Sequence, residues 1–587
     1  MVHDRLVLQV GERVARRAAT DAMSLGTFRD ALVLFVAPRG SSSPGRVLPR
    51  VVVRSTTPPS PPLAPLRPLP PPLTPAPPRS SDFSETYKRT GPPPAYSPDG
   101  LLLATAVDHR LVVRDAESLA VVSMSDCCDK IQHLQWSRDS DHVLAAMHAR
   151  GVVQCFSVSD DSWTCTIDEG PAGIARALWS PAGTEVLIVA DFAVRVSAWS
   201  LVDGSCRHLR APKFPDRGLD FSADGRFLAV LERREGRDQV CVIDCETWTS
   251  ASRFVLDPGA VKDAADVSWS PDATTLAIRD GATNHAVCLY APDGRLLHAM
   301  RPKDARAQGM GVKTLAWSPG GALLATGGFD GKARLLNHLT WRAFAELHHP
   351  ERVVAPATVA VYEETEEVEV SEGLTDGEVS GGRKESVLSG SLSGQPSANT
   401  VGQAATGETS WWEDVWDGED GTGKDVVARS RAMGMGNRSK TRARYVVRPL
   451  PALLPTPSRR EALDAASKGA PLERGVGRIA WSPDDRFVAT APEATPRAIW
   501  VWDATTCEPC AVLAQMEPVR AFEWDPAHPA RLALVCGTNR AYVWTPEGAS
   551  FVQIPIPGFE AKTLGWNPKG GAFALGDKGT FCCAFID

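Results

Sequence analysis

The sequence predicts an all-β fold, a ring of short antiparallel sheets, and three observations carry that prediction. An aromatic residue followed by a Ser-Pro-Asp-Gly-like turn recurs nine times, at Tyr96, Trp136, Trp179, Phe221, Trp269, Trp317, Trp481, Trp524 and Trp566. Successive spacings are 40, 43, 42, 48, 48, 164, 43 and 42 residues, the pitch of a four-stranded propeller blade with one outlier. Between the turns apolar and polar residues alternate, as strands require, and no helical period of useful length interrupts them. A β-propeller of about nine blades in one ring results. Nine marks also fit a seven-bladed ring plus a partial second one, because small propellers commonly have four to eight blades. The even spacing and the chain ends favour one ring.

In chain order, residues 1–80 read as a disordered extension. They contain eleven arginines and no lysine, then the run PPSPPLAPLRPLPPPLTPAPP from Pro58 to Pro78. Proline removes backbone donors and favours polyproline II, so a stiff, solvated lead is expected. A transit peptide is disfavoured by Asp4, Glu12, Asp21 and Asp30. A disordered tail or an over-extended gene prediction fits better, and its PxxP spacing is a weak SH3-type signal.

The first part of the ring is expected over 81–362. The segment Val312 to Trp341 is its plainest blade: a strand, a W-S-P-G-G turn, a second strand, an F-D-G-K turn and a third strand. The aromatic supplies area for packing between blades. In the turn, proline presets φ, aspartate bonds back to the backbone, and glycine accepts positive φ. Residues 363–444 shift to acidic, then Gly/Ser/Thr-rich, then basic composition and read as a disordered insertion, which explains the 164-residue spacing. The flanking runs Thr358–Tyr362 and Arg444–Pro451 read as a hairpin with the insertion at its tip. The ring resumes over 445–587. Its last repeat lacks an outer strand, whereas Asp82–Lys88 is a short alternating segment without a blade. Pairing the two closes the ring and removes exposed edges, and residues 1–80 then hang outside it.

Composition excludes several classes. With 587 residues, 43% hydrophobic content and a net charge of −7, the chain has ample core and no basic excess for nucleic acid. No apolar run reaches the roughly 18–20 residues of a membrane span. Thirteen scattered cysteines without a secretory signal read as reduced thiols. Cys507-Glu-Pro-Cys510 lacks the second pair of a zinc ribbon. Gly418–Asp425 imitates a phosphate loop but ends in Asp425 where a hydroxyl belongs, with no strand before it. His348-His349 reads as an exposed turn. No catalytic, cofactor-binding or metal-ligating residues are assigned, and an enzyme is not expected.

Trp411, Trp412 and Trp416 differ in kind. Three tryptophans among acidic residues in a solvated linker suit a docking peptide as well as chance composition. They are the candidate partner-binding residues. The basic run from Arg429 to Arg448 reads as a solvated flank that charge alone would draw to acidic tails or nucleic acid.

Several segments carry a family resemblance. RLVVRDAESL (110–119), Ile131–Ser137, Trp163–Ile174, Asp330–Trp341, Pro518–Pro526 and the opening DFSETYK resemble the centrosomal and spindle-pole WD-repeat family known as WD repeat protein eight, in order from about Asp82 to Phe585. The resemblance implies a non-enzymatic, cytoplasmic scaffold at centrosomes or spindle poles with a coiled-coil partner, supporting microtubule minus-end anchoring, spindle assembly and cilium formation. A second expectation is a propeller subunit of a translation-initiation assembly, because some initiation factors share the S-P-D-G blade style.

Overall fold

A computed structural model of the chain describes residues 50–54, 83–209, 212–284, 286–300, 311–354, 359–369, 440–457 and 475–586. The chain divides into two compact units, Met1–Thr365 with Tyr445–Asp587, and Glu366–Arg444. The first unit is the propeller. Among the described residues nine antiparallel blades follow one another, over 95–126, 133–168, 176–209, 219–255, 264–300, 312–348, 476–514, 521–553 and 563–585. They are called blades 1 to 9 here. No helix among these residues is long and apolar enough to cross a membrane.

Each blade runs its strands in sequence order, and the first strands of neighbouring blades pack on one another, which places them at the ring's axis. The apolar residues of each strand point into the gap between blades, so the core is divided rather than central. Nine clusters of buried side chains result, one at each junction. The last joins Leu103 and Leu119 of blade 1 to Phe581 and Cys583 of blade 9. That cluster closes the ring.

Closure uses the strand expected from the sequence. Tyr87 and Lys88 pair with Phe581 and Thr580, and Phe83 bridges Ala584. The Tyr87 ring lies 5.4 Å from that of Phe581. Buried Arg89 then donates to the carbonyl oxygens of Asp577 at 2.6 Å and Pro92 at 3.1 Å, tying both sides of the seam.

The expected hairpin is present as Ala360–Glu369 and Lys440–Arg448, and it makes no blade of its own. Its first strand lies parallel to the outer strand of blade 7, Ala360 opposite Ala511 and Glu363 opposite Ala514, which enlarges that blade to six strands. Blades 6 and 7 therefore meet directly, through Ala325, Leu335, Trp481 and Trp500. The acidic run assigned to the insertion from Glu363 onward begins inside a strand. One expectation changes more. Of the extension expected to hang free, Arg50–Arg54 pairs as a fifth strand on Thr164–Asp168 of blade 2, Arg54 opposite Thr164.

Candidate interaction surface

The recurring aromatic ends the first strand of each blade, and in five blades its indole bonds the neighbouring blade. The indole N–H of Trp136 donates to Ala95 at 2.8 Å, that of Trp179 to Gln135 at 3.1 Å, and that of Trp481 to Ala316 at 3.0 Å. Trp524 reaches Ala480 and Trp566 reaches Glu523, each at 3.1 Å. In every case the acceptor is the carbonyl of the residue preceding the previous blade's aromatic. Side chains at that preceding position add a second bond: Gln135 accepts the backbone N–H of Trp179, and Asp220 that of Trp269. The repeat thus brings equivalent groups within hydrogen-bond reach at five junctions, whereas the Trp269 and Trp317 indoles stay unbonded.

The turns after these aromatics follow one grammar. The hydroxyls of Ser97, Ser222, Ser270 and Ser482 each donate to the aspartate two residues on. Each also accepts the N–H of the residue five further on, at or just before the second strand. Neighbouring turns are stitched together: Asp99 N–H donates to Ser140, Gly320 N–H to Asp485, and the Asn567 amide to Gly100 across the seam. The residue left outside this network is the second after the aromatic. It is proline in blades 1, 3, 5, 6, 7, 8 and 9, but Arg138 in blade 2 and Ala223 in blade 4.

Where prolines run uninterrupted they build a surface. Pro319, Pro483, Pro526 and Pro568 stand exposed above the buried rings of Trp481, Trp524 and Trp566. Together they wall an open trough of about 580 Å³. One charged side chain lines it, Glu523. Among the described residues no basic side chain is paired with Glu523. Its apolar surroundings push its carboxyl above the usual range, against the backbone N–H of Trp566, which favours the ionised form. A smaller cavity of about 210 Å³ is lined by Gln135, Arg176 and Asp220 with apolar neighbours and presents no nucleophilic or general-base pair. The chemistry offered by the trough is recognition: flat aromatic and pyrrolidine surface around a single carboxylate.

The residues singled out from sequence fare differently. Trp411, Trp412 and Trp416 lie outside the described residues, as does Gly418–Asp425. Cys507 and Cys510 turn their thiols to the carbonyls of Ala504 and Val501. Burial raises both, Cys510 to about 12, the opposite of a reactive thiolate. Among the described residues no three His, Cys, Asp or Glu side chains group as metal ligands would.

His349 departs from the exposed turn expected of it, although His348 is exposed. Its ring lies edge-on to both Trp500 and Trp502. Its two nitrogens bond the carbonyl of Gly331 and the hydroxyl of Thr490, each at 2.8 Å, and Thr490 also accepts the Trp502 indole. Burial depresses its pKa to about 4.

Glu364, on the hairpin, was also missed. It is buried, accepts from Arg540 and the Tyr542 hydroxyl at 2.7 Å each, and takes the N–H of Met516 at 3.1 Å. Tyr445 packs beside Tyr362 and Tyr542. No local signal marked these residues. The trough had a signal, the unbroken prolines, but it reads as turn grammar until the ring is closed.

The chain is similar to known proteins. The family described as WD domain, G-beta repeat matches residues 306–337, which contain most of blade 6. The chain is 36% identical over 507 residues to WD repeat-containing protein WRAP73 of Mus musculus, covering 86% of this chain and 96% of the relative. An uncharacterized WD repeat-containing protein of Schizosaccharomyces pombe is 28% identical over 188 residues, 31% of this chain and 37% of that protein. Among solved structures, the C-terminal WD40 domain of Sif2 aligns over 86% of this chain and 98% of its own, at 9% identity and a TM-score of 0.42.

Proposed function

This chain belongs to the WD-repeat protein family, with mouse WRAP73 as a relative along nearly its whole length, and we propose that it acts as a non-enzymatic scaffold at the centrosome or spindle pole. In this reading it binds a coiled-coil partner and supports microtubule minus-end anchoring, spindle assembly and cilium formation. The observation that carries the scaffold part is the division of labour in the propeller. Among the described residues, apolar side chains gather at the nine blade junctions, and the trough over blades 6 to 9 is lined by aromatic and proline surface with a single carboxylate. The pole and the partner rest on the family resemblance of segments such as DFSETYK and DGKARLLNHLTW.

We propose Trp411, Trp412 and Trp416 as a docking peptide, on the chemistry of aromatic anchors in a polar linker. Two arms of one experiment test this. The full-length chain, tagged, is followed through mitosis and its co-purifying proteins are identified. Pole accumulation with a coiled-coil component is expected, and a chain that stays diffuse and captures none sinks the reading. Replacing the three tryptophans with alanine should remove at least one captured protein while leaving the ring folded. An unchanged set rejects the docking peptide alone.

A further inference from the structure

The trough over blades 6 to 9 can be held in few ways, and those ways define its partner. The carbonyls of Ala316, Ala480 and Glu523 already accept the indole N–H groups of Trp481, Trp524 and Trp566. The wall prolines have no N–H to give. An added β-strand therefore finds no ladder among these residues. What the trough offers is flat surface, the pyrrolidine rings of Pro319, Pro483, Pro526 and Pro568 beside indole and phenyl rings. Polyproline II suits such walls, because it is preformed, has no internal hydrogen bonds to complete, and lays its own rings against them at little entropic cost.

Charge adds a second constraint. Glu523 is exposed at the trough, and among the described residues no basic side chain is paired with it. The Trp566 N–H answers one side of its carboxylate, which leaves most of about four acceptor sites open. A carboxylate only accepts, so the complementary group is a cation. Arginine fits better than lysine, since its planar guanidinium also stacks on aromatic surface. Blades 2 and 4 break the proline wall with Arg138 and Ala223, and Arg138 would repel the same ligand.

We propose that the trough is a docking site for a polyproline II segment of a partner protein, one that carries a single arginine among prolines and apolar residues and sets it against Glu523. The site stands whether or not the chain works at a pole. The probe is a fluorescein-labelled peptide, Pro-Pro-Leu-Pro-Arg-Pro-Leu-Pro-Pro, titrated with the full-length chain and read by fluorescence anisotropy. Saturable binding is expected. Glu523→Gln, or glutamate in place of the peptide's arginine, should weaken it at least about fivefold, the ratio of one partly exposed charge pair. Glu523→Arg should reverse the preference and bind the glutamate peptide better. Pro526→Arg guards against misfolding, because Arg138 holds the same position in blade 2. It puts the wrong charge in the trough, so binding should be lost with the thermal midpoint unchanged. No saturable binding overturns the proposal, as does an affinity indifferent to both Glu523→Gln and Pro526→Arg. Equal binding of a helical, alanine-rich peptide with one arginine also overturns it and gives the trough to a helix.

Discussion

One imidazole sets how the join between blades 6 and 7 responds to acid. In the folded protein His349 keeps a proton off until about pH 4, against an ordinary 6.5. Between those values the unfolded chain binds a proton that the folded chain refuses. Stability is therefore complete above about pH 6.5 and falls as pH drops towards 4, by about 1.4 kcal/mol per unit from this residue. His349→Gln should be less stable than the wild type at pH 7.5, and urea unfolding at pH 5 should show that gap narrowed. Single residues in the outer turns behave differently. Leu119, Trp248, Trp341 and Cys507 all hold positive φ, each donating its N–H four residues back to Asp115, Asp244, Asn337 and Asp503. A side chain in that region costs about 1–2 kcal/mol, which packing can repay. Trp341 meets Trp317 edge-on at 5.7 Å, whereas Cys507 is only half-buried. Cys507→Gly should hold stability or raise it by up to about 1 kcal/mol, while Trp341→Gly should lose about 3 kcal/mol, both read from unfolding midpoints. The same spacing, Asp or Asn with Ser or Thr three residues on, was present in the sequence at LNHLTW and DAESL. It became legible only once blades could be superposed in register. His349 had no such mark, because its partner Thr490 lies 141 residues away.

At the scale of elements, the hairpin is where sequence and structure part. Alternation over Thr358–Tyr362 and Arg444–Pro451 was enough to foresee two paired strands. Their blade was not readable, since parallel pairing with Glu508–Ala514 depends on a segment about 150 residues further on. Glu364 explains why that pairing holds. It places a buried carboxylate between Arg540 and Tyr542 of blade 8 and accepts a hydrogen bond from each. Glu364→Ala should cost about 3 kcal/mol locally. Hydrogen exchange should then speed up over 360–365 and in Arg540–Thr545, with blade 2 unchanged. Equal acceleration in blade 2 would mean that the hairpin is integral to the whole ring rather than clamped to one side of it.

For the molecule as a whole, the repeat spacing fixed the architecture in advance because every blade obeys one physical rule: its two faces must be covered by neighbours. The sequence pattern foretold nine marks and an unpaired last blade, and the structure completes that blade with Tyr87–Lys88. Removing residues 1–89 should expose the edge of Thr580–Phe585 and uncover Phe581. The expected loss is on the order of 3–5 kcal/mol, from burial and edge pairing together. It should appear as an earlier, broader thermal transition. Truncation to residue 82 should leave the transition sharp. The extension itself resisted reading because proline density predicts stiffness and solvation, and composition does not reveal that Arg50–Arg54 finds an edge on blade 2.

The seam also has a mechanical meaning. Phe83 and Phe585 lie at the same end of an antiparallel pair. Tension drawn across those two points peels the ladder one bond at a time, as a zipper opens, instead of loading all its bonds together in shear. The ring should yield at low force there, long before any blade unravels. A pull applied between two turns on opposite sides of the ring must instead part buried junctions as whole units. A protein that tethers filaments while being stretched would keep its grip best if it were held by its faces, with the ends left slack.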